Sequence, residues 1–176
     1  MKKFIACMLV FVLAMSMVAC GAKDGSAAAA PLEGTMEENA LKIMEIAPVE
    51  FMGGIIPIDL TDTSEDGKWA VFSFTGLQDA TSITDVAVYE SMMGSQAFSL
   101  VMVRTAEGTD PKAVAQEMKD NIDPRKWICV GADEIMAAGY NDTVMFIMVD
   151  SQLGLSAQSY VDAFAEVAGA ELDFTI

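Results

Sequence analysis

Hydrophobic and polar residues alternate over Thr84–Met93, and a second apolar stretch, Ala97–Val103, follows after Gly94-Ser95. Alternation with a period of two is typical of a β-strand, and a Gly-Ser pair suits the tight turn of a hairpin. Asp110 is then a helix N-cap residue with proline next to it. The apolar residues that follow at helical spacing are Val114, Ala115, Met118 and Ile122. The pattern predicts a hairpin followed by a helix.

The same unit recurs 46 residues further along the chain. Glu134–Tyr140 and Thr143–Val149 flank Asn141-Asp142, and a predicted helix over Ala157–Ala168 has its apolar stripe at equivalent positions: Tyr160, Val161, Phe164 and Ala168. Few residues are identical, so either a duplication or convergence of the pattern accounts for the similarity. Either origin predicts an α+β fold with a ββαββα hairpin–helix repeat, in which an antiparallel sheet carries the helices on one face.

The stretch Thr143–Val149 is apolar on both of its faces, with Phe146 at its centre. A strand of this kind is covered on both sides. We expect the two repeat helices to cover one side. The first helix, the early strands, a partner or a ligand must then cover the other.

Two further elements are predicted before the repeat. Thr35 and Glu38 fit a capping box, and apolar residues at helical spacing predict a helix over about Met36–Ile46. Ile55–Leu60 and Trp69–Phe74 are interpreted as a strand pair, with Pro57 favouring an edge position.

The N-terminus has the order of parts found in a secretory signal peptide. Lys2 and Lys3 precede an apolar run from Phe4 to Ala19, which is shorter than the roughly 20 apolar residues a spanning helix needs. Residues 1–19 are therefore predicted to be a cleaved signal peptide.

The end of that run, Met17-Val18-Ala19-Cys20-Gly21, resembles the lipobox of bacterial lipoproteins, although Met17 stands where that family usually has leucine. The resemblance implies cleavage after Ala19 and acylation of Cys20. Stable anchoring needs at least two acyl chains, which a diacylglyceryl thioether supplies. The alternative is an ordinary signal peptide with an incidental cysteine. The implied location is the extracytoplasmic face of the cell membrane, with Cys20 as the anchor.

The segment 20–34 is rich in Gly and Ala and has no apolar periodicity, which predicts a flexible linker. Residues 35–176 are then long enough for a single domain. The formal net charge of the chain is −16, and loss of Lys2 and Lys3 with the signal leaves −18. The negative electrostatic field opposes binding to nucleic acid and to anionic lipid headgroups, so neither is an expected partner. Membrane attachment is therefore expected to depend on the lipid on Cys20.

The stretches Asp85–Gly108 and Gly139–Ser151, together with the lipobox, resemble a family of small lipoproteins of Gram-positive bacteria that carry a domain of unknown function. The resemblance covers about Trp69 to Phe164. It implies a membrane location and a fold, and it implies no activity and no functional residues.

Common catalytic machinery is missing from the sequence. The chain has no histidine, which excludes Ser–His–Asp and Cys–His catalysis and histidine-dependent zinc sites. It also has no Ser-x-x-Lys motif and no glycine-rich phosphate loop. Cys129 lies in the apolar run Trp127–Val130, where we expect a buried inert thiol rather than an intermolecular disulfide or a nucleophile.

The candidate metal ligands are acidic or sulfur-containing. Asp62–Gly67 resembles the start of a calcium loop, but Ser73 stands where a bidentate Glu is required, which favours a solvated turn. We interpret Asp120 with Asp123, and Asp133 with Glu134, as helix-end and surface charges. The methionines could select Cu(I), but Met92-Met93, Met102, Met136, Met145 and Met148 fit packing positions better, so they are interpreted as core filler. We therefore expect no metal and no cofactor.

These observations favour a noncatalytic lipoprotein whose domain binds or scaffolds an envelope component, either a protein or a small molecule. The alternative is an extracytoplasmic hydrolase or transferase that uses carboxylates. Its least implausible residues are Asp133, Glu134 and Asp123. Converging carboxylates would favour the enzyme, because paired carboxylates divide acid and base roles only when burial separates their pKa values.

Overall fold

A computed structural model describes residues 30–176. The predicted signal peptide, Cys20 and most of the predicted linker lie outside the described residues. Within residues 30–176, none of the helices combines the length and the apolar character needed to cross a membrane.

The described chain folds into four α-helices and one six-stranded antiparallel sheet, which confirms the α+β class. The helices are α1 (Met36–Ile46), α2 (Glu65–Thr75), α3 (Pro111–Asn121) and α4 (Ala157–Ala168), with a short 3-10 turn at Ser151–Leu153. The strands are β1 (Gly53–Ile56), β2 (Ile83–Ser91), β3 (Phe98–Thr105), β4 (Glu134–Tyr140), β5 (Thr143–Val149) and β6 (Phe174–Thr175). Their order across the sheet is β1-β2-β3-β5-β4-β6.

Local signals fix the starts of helices α1 and α3. The predicted capping box of α1 is present: Glu38 N donates to Thr35 Oγ1 at 3.1 Å, and Thr35 N donates to Glu38 Oε2 at 2.9 Å. Asp110 accepts from the main-chain N–H of Lys112 at the start of α3. Helix α4 begins differently, since its first amide, Ala157 N, donates to the side chain of Glu134 at 2.7 Å.

Both predicted hairpins are confirmed. Strand β2 pairs with β3, and β4 pairs with β5, all antiparallel. The two hairpins meet through β3 and β5, so β5 lies inside the sheet and all of its residues are buried. The predicted covering of Thr143–Val149 on both faces is therefore confirmed.

The prediction that the repeat helices share one face is wrong. Met118 of α3 packs with Val101 and Phe146 on one face of the sheet, whereas Phe164 of α4 packs with Ile147 on the other. Helices α2 and α3 cover the first face, and α1 and α4 cover the second.

The strand order explains the opposite placement. The connection from β3 through α3 to β4 passes over β5, and the connection from β5 through α4 to β6 passes over β4, so both step in the same direction. Their starting strands run antiparallel. Right-handed crossovers that step the same way from oppositely directed strands put their helices on opposite faces.

The predicted strand over Trp69–Phe74 is also wrong, because these residues belong to α2. Ser64 starts the helix by accepting from the N–H of Gly67 at 3.1 Å. Gly76 ends it in the left-handed region at φ 78°. Strand β1 covers only the start of Ile55–Leu60, and it lies at the sheet edge and pairs with β2.

Candidate functional site

The N-terminal segment reaches the domain at one end of the sheet, which we call the tether pole. The guanidinium of Arg104 donates to the carbonyl oxygens of Leu32 and Gly34, each at 2.8 Å. It also forms an ion pair with Asp142 at 3.4 Å. Leu32 is buried, so the chain just before α1 is packed against the domain.

Four large apolar side chains are exposed at the opposite end of the sheet. Met52, Met92, Met93 and Ile128 are 72%, 69%, 52% and 72% exposed. We call this group the distal pole. Such residues add nothing to the core, and exposed apolar groups that cluster typically mark interaction surfaces.

The backbone brings these four residues together. Met92 N donates to Met52 O at 2.9 Å, which continues the β1–β2 register one pair beyond Gly53 and Ser91. Ile128 N donates to Gly94 O at 2.7 Å. A Cβ atom on Gly94 would stand 3.2 Å from Ile128 Cδ1, so the glycine permits the close approach of the two loops.

A buried ion pair lies beneath the distal pole. Lys126 and Glu90 are bonded through Nζ and Oε1, with side chains only 15% and 12% exposed. Lys126 Nζ also lies 5.1 Å from the ring centroid of Phe74 and 5.3 Å from that of Trp127. Burial lowers the pKa of Lys126, and the charge of Glu90 opposes that shift. The pair fixes the loop that carries Ile128 to strand β2.

Lys126 also approaches a serine, which raises the question of Ser–Lys chemistry. Lys126 Nζ donates to Ser99 Oγ at 3.4 Å. Ser99 has no exposed surface, however, so a substrate has no access to its hydroxyl. The nearby Trp127 Nε1 is buried without a hydrogen-bond partner in the described part of the chain. We therefore interpret this cluster as the support of the distal pole.

The three carboxylates of the enzyme alternative each bind a main-chain amide. Asp133 accepts from the N–H of Ser151 at 2.7 Å and from its hydroxyl at 2.6 Å. These bonds hold the pKa of Asp133 below its usual value, which is the opposite of what a general acid needs. Glu134 accepts from the first amide of α4, and Asp123 accepts from Arg125 N at 2.8 Å.

The acidic stretch Asp62–Gly67 forms a turn and the start of a helix. Asp62 accepts from Ser64 N at 2.9 Å, and Ser64 in turn caps α2. Asp120 accepts from the side-chain amide of Gln116 at 2.8 Å. Among residues 30–176, no three acidic or cysteine side chains are grouped so that they could hold a metal ion.

Two predictions about sulfur-containing residues are wrong. Cys129 is exposed rather than buried, and it has a left-handed backbone at φ 64°. Its apolar neighbours do not bury it because the segment forms a loop over the sheet end instead of a strand. Met92 and Met93 are exposed as well, whereas Met102, Met145 and Met148 are fully buried filler, as predicted, and Met136 is partly buried against the core.

The sequence analysis missed Lys126 and Ile128. One signal for Lys126 was available: it is a cation directly before the apolar run Trp127–Val130, which can draw a lysine stem against apolar surface. Comparison with known protein families, with curated proteins and with solved structures finds no match to this chain.

Proposed function

We propose that this protein is a lipoprotein anchored through Cys20 at the extracytoplasmic face of the cell membrane. Its domain is noncatalytic and binds an envelope component, a protein or a small molecule, through the distal pole. The observation that carries the proposal is the separation of the two poles: the segment that leads toward Cys20 packs at one end of the sheet, and the four exposed apolar side chains of the distal pole lie at the other.

Dimensions support this arrangement. Eleven residues, 21–31, separate Cys20 from Leu32, which is packed on the domain. If this linker is flexible, as its composition predicts, it spans roughly 5–6 Å times the square root of the residue number, or about 17–20 Å. Strand β2 has nine residues and runs from the tether pole to the distal pole, which at about 3.3 Å per residue adds roughly 30 Å. This tether therefore allows the distal pole to face away from the anchoring membrane.

The environment of the carboxylates supports binding over catalysis. Asp133, Glu134 and Asp123 each cap or brace a main-chain segment. The hydrogen bonds from Ser151 lower the pKa of Asp133, which disfavours a general-acid role, and each of the three carboxylates has at least one oxygen bound to a main-chain amide.

The anchor is tested by Cys20→Ala in the full-length chain. We expect the variant to be released from the membrane or to remain as an uncleaved precursor, because Cys20 is the acylation site of the proposed lipobox. Membrane fractionation and the mass of the N-terminal peptide measure both outcomes. Normal processing together with unchanged membrane association would contradict the proposal.

The binding role is tested by photo-crosslinking in intact cells. A benzoylphenylalanine at Met93 is expected to give a discrete adduct, because Met93 is exposed at the distal pole. The matched control is the same probe at Glu107, which is exposed just beyond the other end of β3. Adducts of the same kind and yield at both positions, or none at Met93, would refute a role for the distal pole.

A further inference from the structure

Nine of the ten methionines of the described chain fall into two environments, and Met136 is partly buried between them. Six methionines are buried in the core: Met36, Met44, Met102, Met118, Met145 and Met148. Met52, Met92 and Met93 are instead more than half exposed, and all three belong to the distal pole. Exposed methionines fill no gap in a core, so the usual packing explanation for this residue does not apply to them.

The sheet geometry places two of these thioethers side by side. Gly53 pairs with Ser91, and the bond from Met92 N to Met52 O extends that register, so Met52 lies opposite Met92. Opposite residues in an antiparallel pair point to the same face, with Cβ atoms about 4.5–5.5 Å apart. The flexible Met52 and Met92 side chains can therefore bring their sulfur atoms to one point.

The third thioether belongs to Met93, the residue after Met92 in the turn that follows β2. Met93 N donates to Ser91 Oγ at 3.1 Å, and Met93 O accepts from Gln96 N at 3.0 Å. The pairing with Met52 ends at Met92, so Met93 lies beyond the paired strand and its long, flexible side chain can turn toward the other two. The loop that carries Ile128 is hydrogen-bonded to Gly94 and therefore lies at the same end of the sheet.

We propose that the thioethers of Met52, Met92 and Met93 bind a soft monovalent metal ion, Cu(I). Thioether sulfur selects Cu(I) over hard cations, which prefer the oxygen ligands available elsewhere on this surface. The net charge of −18 expected after signal removal raises the local concentration of cations. The inference rests on the distal pole as the proposed binding surface and adds a metal ion to what that surface binds.

The test is an anaerobic titration of the full-length chain in detergent with Cu(I), using a chromophoric competitor, and a parallel titration with Ag(I). We expect one ion to bind per chain. The triple variant Met52→Leu/Met92→Leu/Met93→Leu should lose this binding. The matched control, Met102→Leu/Met145→Leu, replaces two buried methionines with residues of similar volume and should retain it.

A pH series separates thioethers from other ligands. Thioethers carry no proton to displace, so binding should be equally tight at pH 5 and pH 7, whereas thiolate and carboxylate ligands weaken as they protonate. Cys129→Ser should retain the ion. Failure to bind one ion per chain, retention by the triple variant, loss in Cys129→Ser, or weakening at pH 5 would overturn the metal site. Position-specific crosslinking at Met93 under any of those outcomes would leave the binding role of the distal pole intact.

Discussion

Phe146→Ala is expected to lower the free energy of unfolding by about 3–5 kcal/mol, the usual cost of truncating a packed core aromatic. Phe146 is fully buried at the centre of β5, where it lies opposite Val101 on one side and Ala137 on the other. Its ring also belongs to the core beneath α2 and α3. Equilibrium denaturation in urea measures the change.

Phe72→Ala is the matched control for this prediction. Phe72 lies on α2, and 39% of its surface is exposed, so the same truncation removes less buried area. We expect its cost to be clearly smaller. Equal destabilisation by the two variants, or a Phe146→Ala midpoint close to that of the parent, would show that β5 is not the centre of the core.

Lys126→Ala is expected to cost about 3–5 kcal/mol, because removal of one partner leaves the other charge buried without compensation. The charge left without its partner is the carboxylate of Glu90, whose side chain is only 12% exposed. The variant also loses the ammonium next to the rings of Phe74 and Trp127. Chemical denaturation of the parent and the variant measures the cost.

Two controls separate the buried charge from general effects of lysine removal. Lys68→Ala breaks the exposed pair with Glu65, whose side chains are 54% and 93% exposed, and should change stability little. The double variant Glu90→Leu/Lys126→Met removes both charges and should recover most of the loss. A Lys126→Ala variant as stable as Lys68→Ala would contradict the description of this pair as buried and structural.

The sequence predicted those elements whose signals are local. Thr35 with Glu38 specifies the start of α1, and Asp110 with Pro111 specifies the start of α3. The two hairpins followed from alternation and turn residues. Helix α2 was mistaken for a strand because Trp69, Val71 and Phe72 have high β-propensity, whereas the capping Ser64 and the terminal Gly76 specify a helix.

The placement of the helices could not be predicted from local patterns. The stripes around Met118 and Phe164 are equivalent in sequence, yet they face opposite sides of the sheet. The difference arises from strand order, since β3 and β5 are adjacent and antiparallel while the crossovers that follow them step in the same direction across the sheet. Pairing between strands distant in sequence decides that order.

The distal pole was missed for a related reason. An apolar residue is predicted to be buried unless tertiary structure leaves it uncovered, and loops decide that outcome for Met52, Met92 and Ile128. The segment around Cys129 was misjudged in the same way. Its run of apolar residues resembles a buried strand, but its backbone forms a loop at the end of the sheet and leaves Cys129 exposed.

The contact between Arg104 and the N-terminal segment has a mechanical consequence. In the anchored lipoprotein that we propose, tension from the membrane would reach the domain at the carbonyls of Leu32 and Gly34, which accept hydrogen bonds from Arg104 of β3. Strand β3 lies in the interior of the sheet and is bonded along both of its edges. A pull from the membrane is therefore spread over two strand ladders instead of peeling an edge strand such as β1 away one bond at a time.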